Sequence, residues 1–263
     1  MSNLDSTPQP AVLAAGEACQ GVEVLAPRPV PLGGIRAMTV HRTLPQRARS
    51  LVGPWCFLDH YGPDDVAATG GMSVPRHPHT GLATVSWLFT GEIDHLDSAG
   101  NAVRVRPGEL NLMLAGRGIT HQEIDAPENT VLHGVQLWYA LPSSTRFGEH
   151  GFTHFVPQPV SGPGWEARVF LGEALGSTSP VVTHTTDMLG AELRLSAGTR
   201  VEVPVRRDFE LAVLAESGPV DVNGTRAAHR ELAYVPVGAD TLVLEAGEAG
   251  VRLLLLGGVP FGE

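Results

Sequence analysis

The chain has 263 residues, of which 43% are hydrophobic and 17% charged, enough for one large or two medium domains with a substantial core. Its formal charge of −10, with every one of its 18 basic residues an arginine, excludes a protein built to grip a phosphate backbone, and the absence of lysine excludes Schiff-base chemistry. Cys19 and Cys56 are too few for a disulfide framework or a cysteine-rich zinc module, so a reduced, cytoplasmic compartment is expected. With 31 Gly and 21 Pro punctuating short runs of Val, Leu and Thr, the composition predicts an all-β protein.

The N-terminal segment lacks a basic region ahead of an apolar stretch, so no secretory signal is expected, and apolar runs such as Leu253 to Leu256 are too short to span a membrane. Residues 1–22 read as a tail, with a short helical turn at 11–19. Val22 to Leu25 and Ala37 to Val40 alternate as strands do, separated by Pro27, Pro29, Pro31 and Gly33-Gly34. Leu51 to His60 is expected as a buried strand ending in the turn Gly62-Pro63-Asp64-Asp65, with the two aspartates an exposed turn and not an acid/base dyad.

After Gly70-Gly71 comes His77-Pro78-His79. In an extended strand, residues i and i+2 share a face, so this pair and the later pair His121 and Glu123 can present four ligands to one point. Three imidazoles and one carboxylate suit a divalent first-row transition metal: Fe(II) is the expected ion, and Mn, Ni, Cu, Co and Zn are compatible with the same set. The odd positions continue through Gly81, Ala83, Val85, Trp87 and Phe89, which places the ion at the mouth of a barrel with an apolar face behind it. Asp97 to Asn101 reads as a hairpin turn, with His95 beside it in solvent. Asn111 and Met113 share parity with His121 and Glu123, although Gly116-Arg117-Gly118 bends the chain between them. Leu132 to Leu141 is a further strand.

Residues 142–165, rich in Pro, Gly and Ser, look like a connection between halves. The second half echoes the first: Pro204 to Gly218 has the length of His77 to Gly91, and Asn223-Gly224 is a hairpin signal. On this overlay His77, His79 and His121 become Pro204, Arg206 and Val243, while Glu245 lies over Glu123. The expected organisation is a tail (1–22), a metal-binding barrel (23–142) and a second barrel without metal ligands (143–263).

Pro75-Arg76-His77-Pro78-His79-Thr80-Gly81, the stretch from His95 to Asn101, Pro107-Gly108-Glu109, Ala115-Gly116-Arg117-Gly118-Ile119-Thr120-His121-Gln122-Glu123 and Gln136-Leu137-Trp138 together resemble the pirin family of the cupin superfamily. Arg42 to Pro45 and Gly53 to Pro63 resemble its N-terminal signature. The resemblance runs from about residue 31 to 142 and resumes at 254–263. It implies two tandem cupin barrels, with a metal in the first bound at His77, His79, His121 and Glu123. Where a germin-type cupin would place its glutamate this chain has Ala83, and Ala83, Asn111 and Ala140 replace residues common in pirins at expected cavity positions.

The resemblance further implies quercetin 2,3-dioxygenase activity, in which the metal binds the 3-oxygen of a flavonol and the ring opens with O2 and loss of carbon monoxide. Glu123 would then be the catalytic group, a ligand able to accept the flavonol proton. Trp55, Phe89, Met113 and Trp138 are candidates for an apolar wall, with core packing as their alternative role. His60, at a strand end, is a candidate for bracing a loop of the metal site. The partners expected are a small aromatic or enolic substrate and O2, with no direct nucleic-acid binding and no membrane. The alternative function is a non-catalytic metal- or redox-sensing regulator of a protein partner; a cupin isomerase or small-molecule binder is a third.

Overall fold

The computed structural model describes residues 21–32 and 38–262; the helical turn expected at 11–19 and the Gly33-Gly34 punctuation lie outside them. The protein is nearly all-β, and its strands form two barrels, each made of a seven-stranded and a four-stranded antiparallel sheet. In the first barrel the large sheet runs, edge to edge, Gly151–Phe155, Leu110–Leu114, Leu82–Thr90, Val131–Ala140, Trp55–Asp65, Thr39–Leu44 and Arg28–Pro31. Its small sheet runs Ser73–His79, Ile119–Asp125, Ile93–Asp97 and Ala102–Val105. The second barrel repeats this plan, with Arg200–Pro204 paired to Thr241–Ala246 in its small sheet.

Two short strands cross the expected domain limits. Glu23–Leu25 is an edge strand of the second barrel, paired with Leu232–Tyr234, and Gly151–Phe155 is an edge strand of the first. The limits at 22/23 and 142/143 therefore do not coincide with sheet membership. Each crossing strand covers an edge whose N–H and C=O groups would otherwise be open for pairing.

The long strand expected from His77 to Phe89 is two strands in different sheets. Gly81, at φ +71°, turns the chain after His79, and Leu82–Thr90 starts afresh in the large sheet. Parity is consequently reset: Ala83, Val85, Trp87 and Phe89 face the second barrel, while Ser86 and Leu88 face the interior of the first. The Gly62–Asp65 turn is likewise extended strand, and Asp65 caps the helix Val66–Thr69 by accepting from the Ala67 and Ala68 amides. The Asn223-Gly224 hairpin is present, with both residues at positive φ.

In the second barrel the buried positions of the paired strands are Val201, Val203, Leu242, Leu244 and Ala246. Val243 stands opposite Glu202, whereas His121 stands opposite His77. The sequence overlay that set Pro204 and Arg206 against the histidines was thus out of register. An apolar core, with Leu244 opposite Val201 and Leu242 opposite Val203, fills this barrel.

Candidate metal centre

Ser73–His79 is the edge of its sheet, where Pro75 and Pro78 cost no ladder hydrogen bond that a central strand would need. His77 pairs with His121 and His79 with Ile119, and a bulge follows before Val74 meets Glu123. The i, i+2 spacing and this register bring three ring nitrogens together: His121 Nε2 lies 3.1 Å from both His77 Nε2 and His79 Nε2. In a metal shell with bonds of about 2.0–2.1 Å, neighbouring ligand atoms stand roughly 2.9–3.4 Å apart, so the trio fits a first-row ion. Burial, then the adjacent imidazoles His121 and His77, pushes His79 down to about 3; burial, then His77 and His95, pushes His121 down to about 3. Neutral rings are the form that ligates.

The tautomers are set from behind. His77 Nδ1 is 2.9 Å from the Pro75 carbonyl and donates to it, leaving Nε2 its lone pair. His121 Nδ1 is 3.4 Å from His95 Nδ1, and His95 Nε2 is 3.4 Å from Asp97 Oδ2. His95 is therefore not in solvent as expected but buried, 3% exposed, packed on Phe152 behind His121. Burial raises the Asp97 pKa, but hydrogen bonds from the Asn101 side chain and amide, from His95 and from the Ala99 amide outweigh it, so the carboxyl is held below its ordinary value.

Glu123 does not complete the histidine trio. Its carboxylate groups instead with His95 and His121, within 4.8 Å, and Ser86 Oγ donates to its Oε1 at 2.8 Å. The Gln136 amide contacts the same hydroxyl at 2.9 Å. One hydroxyl hydrogen cannot serve two acceptors, so the consistent arrangement turns the amide to donate Nε2–H to Ser86.

Above these residues opens a cavity of about 640 Å³ lined by His77, His79, His121 and Glu123 together with largely apolar walls. Phe57 and Trp138 stack at 3.8 Å and 10° on one side. Arg42 and Asp59 are joined by two 2.7 Å hydrogen bonds, and the Arg42 guanidinium lies 4.4 Å from the Phe57 ring centre. Tyr61, 1% exposed, also lines the cavity and its hydroxyl has no hydrogen-bond partner.

Of the expected wall residues only Trp138 lines this cavity. Trp55 and Phe89 belong to the core shared with the second barrel, and Met113 packs with Ala115, Ile119 and Phe152. Ala83, Asn111 and Ala140 are not among the lining residues either. Ser86, Arg42, Asp59, Tyr61 and Gln136 were missed. The signal was present, because Phe57, Asp59 and Tyr61 alternate on one strand, but the motif histidines drew the parity reading to the wrong face of Leu82–Thr90. His60 lies within its strand, not at its end, on the opposite face from the cavity, 3.2 Å from His133.

Comparison with known proteins follows the same outline. The family model described as Pirin matches residues 37–139, and that of the Pirin C-terminal cupin domain matches 190–263. A provisionally named quercetin 2,3-dioxygenase of Pseudomonas aeruginosa is 39% identical over 89% of this chain and 74% of its own length. A pirin-like protein of Caulobacter vibrioides is 36% identical over 85% and 79%. Among solved structures, a quercetin 2,3-dioxygenase of Acinetobacter baumannii superimposes with a TM-score of 0.87 at 36% identity, covering 92% of this chain and 80% of that one.

Proposed function

The chain belongs to the pirin family, and from that premise we propose that it is a metal-dependent dioxygenase of the quercetin 2,3-dioxygenase type, acting on a flavonol-like enol. The observation that carries this reading is the convergence of three imidazole nitrogens at one end of a mostly apolar cavity whose lining also includes Glu123. His77, His79 and His121 would hold the ion, expected to be Fe(II), with Glu123 beside them as fourth ligand or proton acceptor. A divalent ion held there would supply Lewis acidity toward the substrate oxygen.

The remaining work falls to the chain. A cavity of about 640 Å³ accommodates a fused aromatic substrate, and the stacked Phe57 and Trp138 rings contribute apolar surface to its wall. The Tyr61 hydroxyl is buried without a hydrogen-bond partner, and burial, followed by the nearby Glu123 charge, keeps it protonated. Glu123 takes the enol proton, and the Ser86 hydroxyl, donating to its Oε1, steadies the carboxylate while it does so. Similarity to the Pseudomonas and Acinetobacter proteins, whose names specify quercetin 2,3-dioxygenase, supports the substrate class.

The test combines elemental mass spectrometry with quercetin turnover in air and under argon. The expected result is oxygen-dependent loss of quercetin above the rate of free metal, with His79→Ala losing about one equivalent of metal together with the activity. A metal-loaded wild type that consumes no O2 with quercetin would refute the proposal.

A further inference from the structure

The two strands that build the cavity, Trp55–Asp65 and Val131–Ala140, carry a second set of histidines on their other face. Along the first, Phe57, Asp59 and Tyr61 point to the cavity while Leu58 and His60 point to the second barrel. Along the second, Gln136 and Trp138 point to the cavity while His133, Val135 and Leu137 point away from it. Glu216, just beyond the strand Glu210–Ala215 of the second barrel, meets the two histidines across the interface.

His133 Nε2 lies 3.2 Å from His60 Nε2 and 2.8 Å from Glu216 Oε1, and His60 Nε2 lies 3.8 Å from the same oxygen. All three residues are buried; the Glu216 side chain is 0% exposed, yet neither of its oxygens receives a hydrogen bond of acceptable geometry, and His60 Nδ1 has no partner. The one hydrogen that His133 Nε2 can carry has to be shared between His60 Nε2 and Glu216 Oε1, and sharing it leaves His60 Nδ1 without a partner. A cation at the centre satisfies all three atoms. Their separations bracket the roughly 3.3 Å edge of a tetrahedron with bonds of about 2.0–2.1 Å, and the His60–His133 spacing nearly repeats the 3.1 Å spacings of the cavity trio.

We propose that His60, His133 and Glu216 form a second site for a divalent first-row cation of the zinc type, buried between the barrels and clasping them together. Two imidazoles and one carboxylate match the borderline softness of Zn(II). The neighbouring Arg252 pairs with the other carboxylate oxygen, its Nη1 3.6 Å from Oε2 and its guanidinium 5.0 Å from the Phe89 ring centre, while the histidines stand against Oε1. Arg230 is engaged elsewhere, on His41 Nε2 at 2.9 Å and the Gly62 carbonyl at 2.8 Å. The site is independent of the proposed dioxygenase reading, since none of its residues lines the cavity.

Zn(II) titration of the full chain, stripped of metal, separates the two sites. In a His77→Ala/His79→Ala variant the expected stoichiometry is about one equivalent, with a melting temperature that rises on Zn(II) addition. Adding Glu216→Gln, nearly isosteric, should abolish both effects. A folded double variant that binds no Zn(II), or whose binding survives Glu216→Gln, overturns the proposal. Should the triple variant fail to fold, His133→Gln in the double variant decides: loss of the remaining equivalent supports the second site and unchanged binding refutes it. Quercetin turnover plays no part in this readout, so its absence leaves the outcome intact.

Discussion

His121 is committed at both ring nitrogens, Nε2 to the histidine trio and Nδ1 to His95, whose far side rests on Asp97. A proton on His121 Nδ1 frees Nε2 as a ligand, so His95 holds the tautomer that metal binding requires. His95→Leu removes that acceptor while keeping a buried side chain of similar reach. It is expected to weaken metal binding at the cavity site by about 10–100-fold with the stoichiometry unchanged, read by competition with a chromophoric chelator. Unaltered affinity would mean that the His95–Asp97 pair only packs the barrel.

Strands decide which side chains meet, and here two glycines set the strands. Gly53, at φ +52°, brings its backbone so close to the other barrel that an added Cβ would sit 2.7 Å from Gly258 Cα. Gly53→Ala would combine the left-handed penalty of about 1–2 kcal/mol with overlap against a backbone that cannot swing aside, and about 2–4 kcal/mol of destabilisation is expected in urea melts. An unchanged urea midpoint would show that the contact is slack. Gly81 marks where the sequence stopped being legible. The all-β class, the grouping of His77, His79 and His121 and the Asn223-Gly224 hairpin could be read from local spacing, because periodicity and turn chemistry are local properties, whereas Glu123 falls outside that trio. The sheet switch at Gly81 depends on what Leu82–Thr90 packs against. Only tertiary structure shows that Trp87 donates to Glu192 of the other barrel and that Ser86, one residue earlier, reaches Glu123. His60 and His133 were illegible for the same reason: their third partner, Glu216, lies in the other half of the chain.

The barrels share one core. Residues of the first, among them Trp55, Trp87 and Tyr139, form a single buried cluster with Phe170, Ala212 and Leu254 of the second. Polar contacts cross the same surface: Trp55 Nε1 donates to the Leu189 carbonyl at 3.0 Å, Trp87 Nε1 to Glu192 at 2.7 Å, and the Gly53 amide to Glu210 at 2.7 Å. The strands Glu23–Leu25 and Gly151–Phe155 each complete a sheet, the former on the barrel that the rest of its half does not build. Parting the barrels would exchange these hydrogen bonds for bonds to water, a net loss of about 0.5–3 kcal/mol each with the carboxylate bonds at the upper end, in addition to the lost apolar burial. Neither half is then stable while the other is unfolded. Calorimetry should show a single transition with equal calorimetric and van't Hoff enthalpies, despite the two barrels and the two separate matched segments. Two resolved transitions would mean that the shared core is too weak to couple them. If the cluster at His60, His133 and Glu216 binds zinc, the one transition should move to higher temperature as a whole, because an ion held by both barrels stabilises only the state in which they are joined.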